Sequence, residues 1–215
     1  QNMKDVNSLL KPVFKADVFS KVSNKFNFSR IQNQYIRNQF EGQIDTGKMM
    51  QALIKRVQEL GVIILNNTKV ERYFEHSDKI EIQTTHFELS ALKLIFTTNG
   101  FAKQLINEDV QPARAQALIT KPLKKLQIKG TIHLDCGYYY FRNVDNRILL
   151  GGGRNLEIKG ENTTKLAETE KIQQSLENIL KYTILPKIDF KIEQRWSGIM
   201  GVGSQKKPIV KQLSN

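Results

Sequence analysis

Tyr139 and Tyr140, with Arg142 two residues on, put two phenolic hydroxyls and a guanidinium on one short stretch. A phenol can donate and accept a hydrogen bond, and a guanidinium matches a carboxylate with two parallel N–H groups. The segment 138–143 reads as a strand, and neighbours on a strand face opposite ways, so only one of the two tyrosines can point into a pocket. The other reading of either is a half-buried sheet tyrosine with its hydroxyl satisfied. Arg195 is a second guanidinium of interest; it and Arg142 can equally be surface cations on strands. His133, on an apolar strand, reads as a satisfied core histidine, Cys136 as a buried free thiol and Trp196 as core. His76, His86, His133 and Cys136 have no metal-ligand spacing, so no metal site is expected. Two glycine clusters, Gly151-Gly152-Gly153 and Gly198, Gly201 and Gly203, are poor phosphate loops. The first follows a strand but opens no helix, and the second lies in no strand-to-helix turn.

The chain that must position these groups has 215 residues, 40% hydrophobic and 25% charged, with a net charge of +12. That composition can bury a core. The lysines are scattered in ones and twos among acids, with no nucleic-acid-binding signature, so they read as solvated surface and no nucleic-acid partner is expected. One cysteine excludes a disulfide framework and fits a reducing, cytoplasmic setting. No apolar run reaches the roughly 18 residues of a membrane span, and residues 1–15 show no signal-peptide pattern.

Residues 1–40 are polar with scattered aromatics and no strong period. Asp45 or Thr46 can cap a helix whose apolar face is Met50, Leu53, Ile54, Val57 and Leu60, with Gly61 at the exit. Val62–Leu65 follows as a continuous apolar run, expected to be a strand buried on both faces. Residues 70–74 and 80–84 read as a hairpin around His76–Lys79, and Leu92–Phe96 as another buried strand, with a short helix from Phe101 to Leu105. From Pro112 onward antiparallel strands are expected at 114–120, 131–134, 138–143 and 147–151, with a turn at 143–146. A long amphipathic helix is expected over about 163–182. The alternation of Ile188, Phe190 and Ile192 predicts a strand that ends at Trp196. The fold class is mixed α+β and α/β: an antiparallel sheet with an α/β piece inserted.

Four segments in order resemble the D-amino acid oxidase-like family of FAD-dependent oxidoreductases, of the glycine oxidase and sarcosine oxidase type. They are Glu41–Gly47 with Gly61–Val70; Leu94–Ala102, similar to a strand ending in ATGAWA; Gln111–Gln116 with 138–142 and 147–152, similar to a P-x-R-G-Q strand and a tyrosine-bearing hairpin; and Arg195–Gly201 with Lys207–Val210, similar to an R-x-W-x-G-x-R-P stretch. No single segment is specific, but their order and spacing are. The resemblance covers about 40–210.

The resemblance implies a fragment of an FAD enzyme that oxidises a C–N bond of an amino acid or secondary amine by hydride transfer to flavin. The G-x-G-x-x-G loop that holds the FAD pyrophosphate in the family is absent from this chain, so the fragment alone is expected to be inactive. Residues 1–40 and 109–197 would belong to the substrate domain, 41–108 to the FAD-binding domain, and 198–215 would return towards it. Val70, Thr98, Asn99 and Gly100 would contact the cofactor. Tyr139 or Tyr140 would supply the substrate-facing hydroxyl, Tyr139 by register. Met200 stands where many members have an arginine for the substrate carboxylate, which leaves Arg142 and Arg195 as the candidate cations, or a substrate with no carboxylate there. The implied partner is a small amine or amino acid. The competing expectation is a stand-alone or non-catalytic binding module for an acidic ligand.

Overall fold

In chain order the elements are α1 (Met3–Phe14), β1 (Phe19–Ser23), β2 (Gln34–Asn38), α2 (Thr46–Glu59), β3 (Val70–Glu75), β4 (Ile80–Thr84) and β5 (Glu88–Ala91). There follow β6 (Gln111–Thr120), β7 (Thr131–Leu134), β8 (Tyr139–Val144), β9 (Arg147–Gly152), α3 (Glu170–Ile179) and β10 (Ile192–Val202). The computed structural model describes residues 2–205 and 207–214, which fall into two units. One comprises 2–44, 115–157 and 167–197; the other comprises 45–114, 158–166 and the described residues from 198 onward. The fold is mixed α and β with antiparallel sheets.

The first unit is built on a five-stranded sheet in the order β10-β6-β9-β8-β7. Its central hairpin turns at Asp145 and Asn146, both at positive φ (43° and 61°), the conformation that short Asp/Asn turns supply. Along β8 and β9 every second side chain (Tyr139, Phe141, Ile148, Leu150) is buried. These meet Leu118 of β6 and the apolar face of α3, Ile172 and Leu176, continued by Leu180, Ile184 and Leu185. Each such side chain contributes about 1.5–3 kcal/mol on burial, so this cluster is the main source of the unit's stability.

The expected helix over 163–182 is shorter: α3 runs from 170 to 179 and passes into a π turn at Leu180–Ile184. Thr169 is held extended because Gln116 accepts from its N–H (2.9 Å) and donates to its hydroxyl (2.9 Å), so the helix cannot propagate further back. The aromatic-dotted N-terminal stretch, read as having no strong period, contains a helix, α1, capped by Asn2, in which Met3, Val6, Leu10 and Val13 do recur at helical spacing. Asn7 ties it to β1 through both halves of its amide, to the carbonyl and N–H of Phe19 (2.8 Å each).

In the second unit α2 starts as its sequence predicts, with the Asp45 side chain accepting from Lys48 N–H, and Gly61 follows at φ +81°. The hairpin β3–β4 also forms, and β5 adds a third strand. Two expectations fail. Val62–Leu65 and Leu92–Phe96 are not strands, and they are not buried: Ile63 is 82% exposed, Leu92 85% and Ile95 80%. No described strand pairs with either stretch, and an apolar run becomes a strand only with a hydrogen-bonded neighbour. The α2 side chains read as a buried face, Met50, Leu53, Ile54 and Leu60, are exposed for the same lack of a covering layer among the described residues.

Three local readings also change. The strand expected from Ile188 to Trp196 is shifted along the chain: β10 begins at Ile192 and runs through Trp196 to Val202. Ile188 instead sits in a turn, its N–H donating to Leu185 O, and pairing of this stretch begins only where Lys121 N–H meets Lys191 O (2.8 Å). His133 is exposed, because in β7 it is Ile132 and Leu134 that pack on the core and a period of two turns His133 outward. Cys136 is exposed too, at the tip of a tight turn in which Asp135, Cys136 and Gly137 all have positive φ.

Candidate functional site

In the first unit the two tyrosines part as strand geometry requires. Tyr139 faces the core, 6% exposed, and its hydroxyl is 3.0 Å from Ser175 Oγ on α3. Tyr140 faces the opposite side of the sheet. Its cross-strand neighbour on β9 is Gly151, and the ring lies directly over that glycine: a Cβ there would come within 2.7 Å of the Tyr140 ring and hydroxyl oxygen. Gly151 is therefore the residue that lets the ring lie flat on the sheet. The Tyr140 hydroxyl meets no hydrogen-bond partner among the described residues, and burial holds its pKa above the ordinary tyrosine value. It stays protonated at neutral pH and can donate as well as accept. The tyrosine favoured by register is thus engaged inside the core, and its neighbour presents the available hydroxyl.

Arg142 shares the Tyr140 face, two residues along β8. One of its N–H groups is spent on the carbonyl of Ile44, and it has no acidic partner among the described residues. Arg195 differs. It donates to Gln173 Oε1 and to Glu177 Oε1, both at 2.7 Å, so its charge is met by a carboxylate. Gln173 in turn donates to Gln116, which is bonded to Thr169. This polar chain from Thr169 to Glu177 was not legible in the sequence. Its one signal was Gln116, a polar residue at an inward position of an apolar strand.

In the second unit Thr98, Asn99 and Gly100 run into a 3-10 turn at Asn99–Gln104. Asn99 is occupied: its amide donates to Ile199 O (3.0 Å) and its carbonyl accepts from Gly201 N–H (2.6 Å). Gly100 is a close-approach glycine, since a Cβ would lie 2.6 Å from Met200 O. Thr98 is different. Its Oγ1 is buried and has no hydrogen-bond partner among the described residues, which is a cost unless a ligand atom fills the place. Val70 opens β3 opposite Thr84, beside a bulge. Met200 is 43% exposed on β10, and a thioether offers a carboxylate no donor.

The same unit holds a buried ion pair. Arg114 Nε and Nη2 donate to the two carboxylate oxygens of Glu161 (2.9 and 2.6 Å), and Nη1 donates to Lys165 O. Glu161 is fully buried. The pair fastens residues 158–166 to the start of β6.

The sequence model of the FAD dependent oxidoreductase family, DAO, matches residues 28–215, and the chain belongs to that family. Its fold is similar to glycine oxidase from Geobacillus kaustophilus (TM-score 0.79, 14% identity, 96% of this chain and 56% of that one). It is also similar to L-proline dehydrogenase from P. horikoshii (0.74, 16%, 99% and 62%) and to an L-amino acid deaminase from Proteus vulgaris (0.71, 12%, 98% and 56%). The chain thus spans 56% to 62% of the length of these three proteins. No curated protein sequence matches it closely enough to count as a relative. Among the described residues no helix is long and apolar enough to cross a membrane.

Proposed function

We propose that the chain is part of an FAD-dependent enzyme that oxidises a C–N bond of an amino acid or secondary amine. The first unit, with residues 1–40 and most of 109–197, is the substrate-binding part. The second, around 41–108 with 198–215, is part of the FAD-binding domain. Its exposed apolar stretches, Val62–Leu65 and Leu92–Phe96, then belong to a sheet that further polypeptide completes. Family membership over 28–215 supports the cofactor class. The observation that carries the site is the unpartnered, half-buried Tyr140 hydroxyl on the open face of the sheet.

FAD, when bound, supplies the acceptor for the hydride that leaves the carbon beside the amine. The buried Thr98 hydroxyl fits such a group, and Val70, Asn99 and Gly100 would hold it through their backbone. Tyr140 orients the substrate through a hydrogen bond that costs the protein no existing one, and its raised pKa keeps the proton in place. Arg142 is the cation for a substrate carboxylate. Arg195 keeps α3 and β10 in register through Gln173 and Glu177 rather than binding substrate. Tyr139 holds α3 on the sheet through Ser175. Met200 supplies an apolar contact.

The test is the visible absorption of the protein purified from its complete reading frame, followed by an anaerobic screen of amines and amino acids. Flavin bands that bleach with one of them are the expected result. A protein that takes up no added FAD sinks the proposal. A flavin that no amine reduces selects the non-catalytic binding module instead.

A further inference from the structure

The strands β1 and β2 are joined across residues 24–33, and β6 and β7 across residues 121–130. In the first unit these two connections meet around an open depression of about 710 Å³ lined by Lys25, Phe26, Lys125, Leu126, Gln127 and Lys129. Half of the lining is lysine and none of it is acidic. Lys124 lies beside it in the sequence, and residues 121–130 contain four lysines and no acid. None of Lys25, Lys124, Lys125 and Lys129 has an ion-pair partner among the described residues, although ion pairs form elsewhere in the chain.

The backbone under these lysines is anchored. Asn24 bonds Phe28 in both directions (2.7 and 3.1 Å), and Phe28, at 6% exposure, stacks edge-on against the core ring of Phe141. Leu123 and Ile128 are buried in the same core, Leu123 N–H donates to Asn146 O, and Gly130 N–H donates to Asn143 Oδ1. The backbone that carries these lysines is therefore fixed, and no carboxylate among the described residues offsets the repulsion between their charges. Lys25 partly relieves this by lying 5.0 Å over the Phe26 ring.

We propose that this depression binds a small multivalent phosphate anion. The depression is shallow and open to solvent, which suits a compact, strongly hydrated anion held by charge rather than by enclosure. Lysine ammonium groups act as point charges that suit phosphate oxygens, and three of them around one hollow match several negative charges on one compact molecule. Phe26 and Leu126 offer an apolar wall to any organic part of it, and Gln127 offers an amide. An acidic peptide would need a longer track than six residues provide. The inference does not depend on the oxidoreductase reading.

The experiment is calorimetric titration of the protein with inorganic tripolyphosphate at physiological salt, paired with NMR of the Lys125–Lys129 amides. Saturable one-to-one binding, with shifts confined to residues 24–28 and 123–130, is expected. Replacing Lys25, Lys125 and Lys129 together by Ala weakens it about tenfold or more. Replacing the exposed Lys4, Lys93 and Lys187 leaves it unchanged. Equal loss in both sets, or shifts spread over the whole chain, means general attraction to a basic protein and overturns the site. So does tighter binding of oligo-glutamate that tripolyphosphate cannot displace, which marks a protein partner. The NMR map on the unaltered protein decides the question even if the triple variant does not fold.

Discussion

Removing the Tyr140 hydroxyl should separate its role from that of Tyr139. Tyr140→Phe takes away a group with no partner among the described residues, so stability in denaturant should stay within about 0.5 kcal/mol of the parent. If the proposed function holds, amine turnover by the protein from its complete reading frame should fall, with kcat/KM about tenfold lower, or about 1.4 kcal/mol. Tyr139→Phe should do the reverse. It loses the 3.0 Å bond to Ser175, costing about 0.5–1.5 kcal/mol in stability, and leaves substrate affinity nearly unchanged. A Tyr139→Phe variant with normal stability and lost turnover would exchange the two assignments. Gly151→Ala tests the floor of the site. Its methyl would collide with the Tyr140 ring at 2.7 Å, so a destabilisation of about 1–3 kcal/mol is expected in urea unfolding, relieved when Tyr140 is also made Ala.

One buried ion pair anchors part of the second unit. The Arg114–Glu161 pair fastens residues 158–166 to β6. Arg114→Met leaves the Glu161 carboxylate buried without its fork of donors, and a loss of about 3–5 kcal/mol is expected from chemical denaturation. Replacing both partners by apolar residues should cost much less. Elsewhere in the unit the exposed Asp109 carboxylate accepts from the hydroxyl and the N–H of Ser204, and these bonds lower its pKa. Because the folded pKa lies below the unfolded one, the contribution is present above the ordinary carboxylate range, about pH 4. It is lost as pH falls through the folded value. The protection of the Ser204 amide from hydrogen exchange, taken relative to its intrinsic rate, should therefore fall at acid pH. Asp109→Asn should abolish that dependence. Unchanged protection through the acid range would show that the Asp109 contact does not hold the segment.

At the scale of the whole molecule, the two units are unequally covered. The first buries a continuous cluster from Phe28 to Leu185, whereas the second leaves Ile63, Leu92 and Ile95 at least 80% exposed. Apolar surface of that extent binds hydrophobic dyes and promotes association. Changing Ile63 and Ile95 to Lys should lower dye fluorescence of this chain and keep it monomeric to higher concentration, without shifting its melting temperature. If the melting temperature falls markedly, these side chains are packed in solution and the exposed arrangement is wrong.

What could be read from the residues alone was local or periodic. Asp45 and Gly61 mark the ends of α2 because capping needs only a side-chain oxygen and a tolerant backbone a few residues apart. The hairpins at 70–84 and 139–152 follow from alternation and from turn residues between the strands. The order of four family segments identified the family, since spacing along the chain survives where identity does not. Burial was not readable in the same way. Val62–Leu65 and Leu92–Phe96 have the composition of central strands, yet a strand exists only where another chain segment offers N–H and C=O groups. Choosing between Tyr139 and Tyr140 likewise needed the side on which α3 lies, because alternation separates the two faces without saying which is covered. Arg195 looked free until α3 brought Gln173 and Glu177 beside it. The link between Arg114 and Glu161 spans 47 residues, and no local pattern records which acid a distant cation will meet. Composition and short-range pattern determined most of the elements and the family; tertiary structure decided which polar groups are already satisfied and which, like the Tyr140 and Thr98 hydroxyls, meet no hydrogen-bond partner among the described residues.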